Sequence, residues 1–240
     1  MSVSETGLAR DDNQDSLLAM VECGVFCVAD GMGGGCEGAL ASSIICEEIA
    51  SSIKTAGCDI KSVVDRALLS ANARICRHAN ENGYRMMGST VVVLAFDADD
   101  VGKAVVCHVG DSRVYRIRKG KVELLTDDHT LANQILRSSE GRWMESLRGR
   151  KSPLSHILTK VVGSVDGVVP EWREIDVECE DCFLICSDGV HDIMDEHDMA
   201  EMYASASSRE IFSEALRCEI IRRGAPDNFT YVIGEAGKSE

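Results

Sequence analysis

An aspartate recurs where apolar runs of this chain begin or end, each time beside a glycine or another turn-forming residue. GVFCVAD runs into glycines at Asp30, VVCHVGDS reaches Asp111 and CFLICSDG reaches Asp188. GAPDN places Asp227 just before the apolar run FTYVI, and NQDS places Asp15 before the first one. Taken singly, such an aspartate is a turn former or a helix cap. Strands of one sheet layer share their ends, however, so carboxylates carried there can converge. Converged carboxylates repel one another and are costly to desolvate unless a cation neutralises them. Ligands that are all oxygen imply a hard ion, magnesium or manganese. Around Asp30 the stretch VADGMGGG puts four glycines into five positions, 31–35, more than a plain turn needs. Glycine is used where backbone must bend unusually or approach another group closely.

The remaining pattern is that of strands grouped with strands and helices with helices. Residues 17–29 suggest two strands turning near Glu22 to Gly24. Residues 36–56 look helical. Ile60, Val63, Val64, Ala67, Leu68, Ala71 and Ile75 recur at i, i+3, i+4 and i+7, predicting a helix over 59–81 with Asp59 as its cap. Strands follow in STVVVLAFD, KAVVCHVG and SRVYRIR, and Lys119–Gly120 turns the chain into KVELLT. A short helix is expected near His129 and strands at 157–162, 171–178 and 182–187. Two helices, 195–206 and 208–223, and a last strand, NFTYVIGEA, complete the chain. Grouping of this kind with hairpin links favours an α+β fold with antiparallel sheets, and the strand–helix alternation of a parallel sheet is missing. No linker or repeat divides residues 1–240, so one domain is expected. Residues 138–156 are basic, polar and aperiodic, and read as a mobile surface loop.

The net charge of −15 argues against a nucleic-acid partner, whose phosphates would be repelled, and suits a protein that holds cations. No signal peptide and no apolar run long enough to span a bilayer is found, so no membrane partner is expected. Most of the 11 cysteines lie in apolar runs, where the thiol acts as a small hydrophobe. Cys179 and Cys182 form a CxxC, but no second pair accompanies them, which favours a structural role. Reduced thiols fit the cytoplasm.

The blocks RDDNQDS (10–16), VADGMGG (28–34), GST (88–90), HVGDSRVYRI (108–117), LTDDHT (125–130), LTKVVGS (158–164), FLICSDGVHD (183–192) and APDNFTYVI (225–233) stand in a definite order. In that order they resemble the metal-dependent serine/threonine phosphatases of the protein phosphatase 2C type, over nearly the whole length. The resemblance implies a sandwich of two antiparallel β-sheets flanked by α-helices, an α-β-β-α arrangement. It implies that Asp30 bridges two metal ions, Mn2+ or Mg2+, that the Gly31 carbonyl binds one of them, and that Asp188 and Asp227 ligate the first. Asp111, with Asp188 and Asp192, resembles the ligands of a third, weaker metal. Arg10 matches the arginine that grips phosphate, a task suited to a planar, permanently charged guanidinium. Asp15 is expected to orient metal-bound water.

What the resemblance implies is a phosphatase of phosphoserine and phosphothreonine in proteins, using a hydroxide that bridges two cations about 4 Å apart. A phosphorylated protein is the implied substrate and a cognate Ser/Thr kinase the implied counterpart. The stretch 138–156 corresponds to the family's variable flap. Its Arg142, Arg148, Arg150 and Lys151, with Arg137 beside it, could steer a phosphorylated segment. Gln14 stands where some members carry glutamate, and Met32 where animal members carry the histidine proposed as general acid. His191 is a candidate for that role, although a lone histidine there is more often hydrogen-bonded. His108 and His129 are expected to be structural, Arg113 to pair with a core carboxylate and Asn228 to brace the loop of Asp227. The runner-up reading is a non-catalytic family member that binds a partner. A hydrolase of small phosphoesters is a third.

Overall fold

The computed structural model describes residues 1–33, 36–54, 59–138 and 152–236. Its strands form two antiparallel sheets. One has the order β1 (Ser2–Glu5), β11 (Phe229–Glu235), β10 (Cys182–Cys186), β7 (Arg113–Arg118) and β8 (Lys121–Leu124). The other has the order β2 (Asp15–Met20), β3 (Val25–Gly33), β5 (Val91–Phe96), β6 (Lys103–Val109) and β9 (Glu171–Asp176), with β4 (Met87–Ser89) paired to the end of β3.

The sequence of β5, VVVLAF, is apolar throughout because both of its faces are covered. Val91, Val93 and Ala95 join Cys27, Ala29, Cys107 and Val109 in packing against the long helices α1 (Cys36–Lys54) and α2 (Ile60–Asn82). Val92 and Leu94 point the other way, meeting Val114, Phe183, Ile185 and Val232 of the opposite sheet. The far side of that sheet buries Tyr115, Leu184 and Phe229 against Val190 of the single-turn α4 (Asp188–His191), Met199 of α5 (Glu196–Ser205) and Phe212, Leu216 and Ile220 of α6 (Arg209–Arg222). The layers are therefore helix, sheet, sheet, helix, as the resemblance implies.

Local signals act where expected. The Asp59 carboxylate accepts a hydrogen bond from the Ser62 amide at the start of α2. Lys119 and Gly120, both at positive φ, turn β7 into β8, the backbone that a two-residue hairpin requires. A short helix, α3 (Leu131–Arg137), follows His129 and is capped by Thr130.

Several expectations need correction. Residues 157–162 are not a strand; they make only isolated bridges, Leu158 with Thr130 and Val162 with Ser89. The stretch STVVVLAFD breaks at Thr90, whose amide turns aside to the Asp30 carbonyl at 2.9 Å. β1 lies in a segment too polar to announce a strand. It is templated by the backbone of β11, in register Ser2 with Val232 through Glu5 with Phe229. Of the flap stretch 138–156, residues 139–151 fall outside the described residues, and Pro153–His156 form a 3-10 turn.

Candidate active site

The aspartates singled out above do meet. The register of β2 on β3 sets Asp15 opposite Asp30. Asp111 follows β6, Asp188 follows β10 and opens α4, and Asp227 precedes β11. Asp30, Asp111, Asp188 and Asp227 line one cleft of about 570 Å3, with Arg10, Gln14, Gly31 and Thr90. Asp15 lies buried behind this row. One of its oxygens accepts from Ser187 Oγ at 2.8 Å, while the other, Oδ1, has no hydrogen-bond partner. Asp192, one helical turn beyond Asp188, does not line the cleft; it lines a neighbouring groove.

Asp30 is held by its backbone. Its amide donates to Thr90 Oγ1 at 3.2 Å, and its carbonyl accepts from Ser89 Oγ at 2.8 Å and the Thr90 amide at 2.9 Å. The GST block is thus a clamp on Asp30. The glycine after Asp30 answers to close approach. A Cβ on Gly31 would lie 2.0 Å from the Gly38 carbonyl oxygen, so β3 and α1 touch backbone to backbone there.

Asn228 braces the loop as expected. Its Oδ1 accepts from the Gln14 amide at 2.9 Å, and its Nδ2 donates to the carbonyls of Thr6 and Asp12 at 2.8 and 2.9 Å. The segment carrying Arg10 is thereby bolted to the start of β11. Arg10 donates to Asp227 Oδ2 at 2.7 Å while 57% of its side chain stays exposed. Arg113 pairs with Asp128 through two parallel bonds of 2.6 and 2.9 Å, away from the cleft.

The electrostatics of the cleft are those of crowded like charges. Burial, then the charges of Asp15, Asp188 and Asp111, push the pKa of Asp30 well up. Burial and then Asp188 push Asp111 up to about 8. Burial and then Asp227 push Asp188 up to about 6. Burial also raises Asp15 to about 6, against the hydrogen bonds from Ser187 and Thr230. Carboxylates arranged so resist ionising together until positive charge is supplied. The donors are all hard oxygens, and the buried Asp15 Oδ1 lacks a partner. These residues fit one or more divalent cations of the magnesium or manganese class.

A second cluster fits a cation poorly. His108, His129 and Glu171 lie close together. The two imidazoles stack at 4.6 Å and 12°, so no point lies near both ring planes. His129 Nδ1 accepts from the Gly110 amide at 3.1 Å, and its Nε2 faces Glu171 Oε2, with Lys160 Nζ also 3.3 Å away. Burial, then His108, lowers His129 to about 4, and burial lowers His108. Both rings are buried and hydrogen-bonded, His108 through Nε2 to the Asp127 carbonyl at 2.9 Å.

His191 is the hydrogen-bonded side chain of the blander expectation. Its side chain is only 5% exposed, with Nε2 donating to the Asp111 carbonyl at 3.0 Å. His156 also lines the cleft and stands 3.6 Å from Asp192. Nothing in the aperiodic stretch around it signals a place at the site.

The family model described as "Protein phosphatase 2C" matches residues 5–220. The serine/threonine protein phosphatase PstP of Mycobacterium tuberculosis is 28% identical over 97% of the chain, which spans 44% of that protein. The chain thus covers under half the length of this relative. The protein phosphatase PhpP of Streptococcus pneumoniae is 26% identical, over 96% of this chain and 94% of its own length. A crystal structure of the catalytic domain of serine/threonine protein phosphatase PstP in complex with two manganese ions superposes with a TM-score of 0.82 at 26% identity, over 98% of this chain and 96% of that one.

Proposed function

The chain belongs to the protein phosphatase 2C family, and we propose that it is a metal-dependent phosphatase of phosphoserine and phosphothreonine in proteins. The observation that carries this reading is the meeting of Asp30, Asp111, Asp188 and Asp227 in one cleft beside Arg10. A non-catalytic binding module is disfavoured by the same observation, since crowded buried carboxylates are costly to keep without a cation.

In this proposal Asp30, Asp188, Asp227 and the Gly31 carbonyl would hold two divalent cations, and Asp111 with Asp188 would serve a third, without Asp192, which lines the neighbouring groove. Cations bound there supply an acidified water at neutral pH and neutralise the charge of the phosphoryl oxygens. Arg10, exposed at the rim, orients the phosphate by two parallel hydrogen bonds, for which its guanidinium is shaped. Asp15 presents its free oxygen to ordered water behind Asp30. Thr90, Ser89 and Asn228 keep Asp30 and the Arg10 segment in place. Residues 1–240 act as one catalytic domain. The enzyme works in the cytoplasm, opposite a Ser/Thr kinase that makes its substrates. Among the described residues no helix is long and apolar enough to cross a membrane.

The test is phosphate release from a phosphothreonine peptide with Mn2+, and with a chelator. Turnover that requires Mn2+ and falls by orders of magnitude in Asp30→Asn supports the proposal. Cation-independent turnover, or none, contradicts it.

A further inference from the structure

Beside the cleft lies a second hollow of about 450 Å3. His156 lines both, so the two adjoin at this side chain. The floor of the second is apolar, built from Leu124, Leu136, Leu154 and Met194. Its charged groups are mostly acidic. Asp128 is consumed by Arg113, and Asp127 by Arg137. Among the described residues that leaves Asp195 and Glu196 at the start of α5. Asp195 caps α5 by accepting from the Asp198 amide, which keeps it in place and leaves its charge intact. Acidity alone means little in a chain of net charge −15. What distinguishes this place is acid on the rim of an apolar hollow that adjoins the catalytic cleft.

We infer that this groove binds the substrate segment flanking the phosphorylated residue, and that it selects an arginine or lysine next to a large apolar side chain. The inference rests on the phosphatase reading and names the substrate class within it. The apolar side chain fills the floor, as in other peptide grooves where pockets give specificity. The basic group meets Asp195 and Glu196, a complementarity that selects partners more than it adds raw affinity. Because the two hollows adjoin at His156, the selected pair lies close to the phosphorylated residue in sequence.

Two phosphothreonine peptides of equal length test this, one flanked by Arg and Leu and one by Glu and Ser, with p-nitrophenyl phosphate as a substrate too small to reach the groove. The wild-type protein with Mn2+ should favour the Arg/Leu peptide by about tenfold in kcat/KM, chiefly through KM. Glu196→Lys should abolish that preference and Leu136→Asn should weaken it, both with normal kcat/KM on p-nitrophenyl phosphate. Equal rates on the two peptides, a preference that survives Glu196→Lys, or losses that extend equally to p-nitrophenyl phosphate would overturn the inference. So would self-association by light scattering that Glu196→Lys abolishes, which would assign the groove to a second copy. If no substrate is hydrolysed, the phosphatase reading falls by itself. The groove is then judged by fluorescence anisotropy with the unphosphorylated Arg/Leu peptide: binding lost in Glu196→Lys upholds it, and absence of binding discards it.

Discussion

Asn228 makes three hydrogen bonds that no other side chain could replace together, to the Gln14 amide and to the carbonyls of Thr6 and Asp12. Asn228→Ala removes three part-buried hydrogen bonds, each contributing roughly 0.5–1.5 kcal/mol net. Urea unfolding should show a loss of about 2 kcal/mol or more. Because the same bonds hold the segment of Arg10, KM for a phosphopeptide should rise as well. Arg10→Ala should differ: stability changes little, since the Arg10–Asp227 pair is largely exposed and such pairs contribute under about 1 kcal/mol. Its KM should rise by about tenfold or more while Mn2+ affinity, read by calorimetry, holds. Equal behaviour of the two variants would contradict the division of labour between brace and grip. Asp30, Asp111, Asp188 and Asp227 were legible in the sequence because each adjoins an apolar run, and strand ends converge in space. His156 was not legible, because its place depends on where an aperiodic stretch returns to the sheet.

At the scale of elements, the contact of β3 with α1 sets the geometry of the cleft floor. Gly31 and Gly38 face each other there, and a Cβ on Gly38 would come within 2.2 Å of Gln14 Oε1. Gly38→Ala therefore has to push Gln14 out of the cleft wall or shift α1. The expected result is a stable protein with weakened Mn2+ binding and turnover, whereas Gly31→Ala, opposed by backbone, should lose its native fold by circular dichroism. Normal Mn2+ affinity in Gly38→Ala would show that this contact does not shape the site. The long helices and the hairpin at Lys119–Gly120 could be read from periodicity and turn chemistry. β1 could not, since its only inward apolar side chain is Val3 and its partner β11 lies at the opposite end of the chain. Asp192 carries a similar lesson: one turn of α4 advances roughly 6 Å, enough to move a carboxylate from the cleft to the next groove.

At the scale of the whole molecule, the crowded carboxylates link stability to pH and to cations. Without cations, Asp111 and Asp188 bind protons more tightly in the folded than in the unfolded chain, with values of about 8 and about 6 against about 4 unfolded. The folded state then holds more protons across that window, so this contribution is lost as pH rises through it. The buried histidines act oppositely. His129, at about 4 when folded, destabilises the protein as pH falls below about 6.5. Above about pH 7.5 the histidines are largely neutral in both states, and Asp111, joined by buried thiols such as Cys186, pushed up to about 12, makes stability fall with pH. In chelator, the melting temperature should therefore fall between about pH 7.5 and 8.5, and Mn2+ should restore it more at about pH 8.5, where the ligands no longer compete with protons. A flat or rising profile in chelator would contradict the carboxylate cluster. The most direct measurement is anomalous diffraction at the manganese edge from crystals soaked in MnCl2. Two strong peaks that share Asp30 as a ligand, with Asp188 and Asp227 close by, are expected. Peaks confined to His108, His129 and Glu171, or no manganese at Asp30, would contradict the proposed metal site.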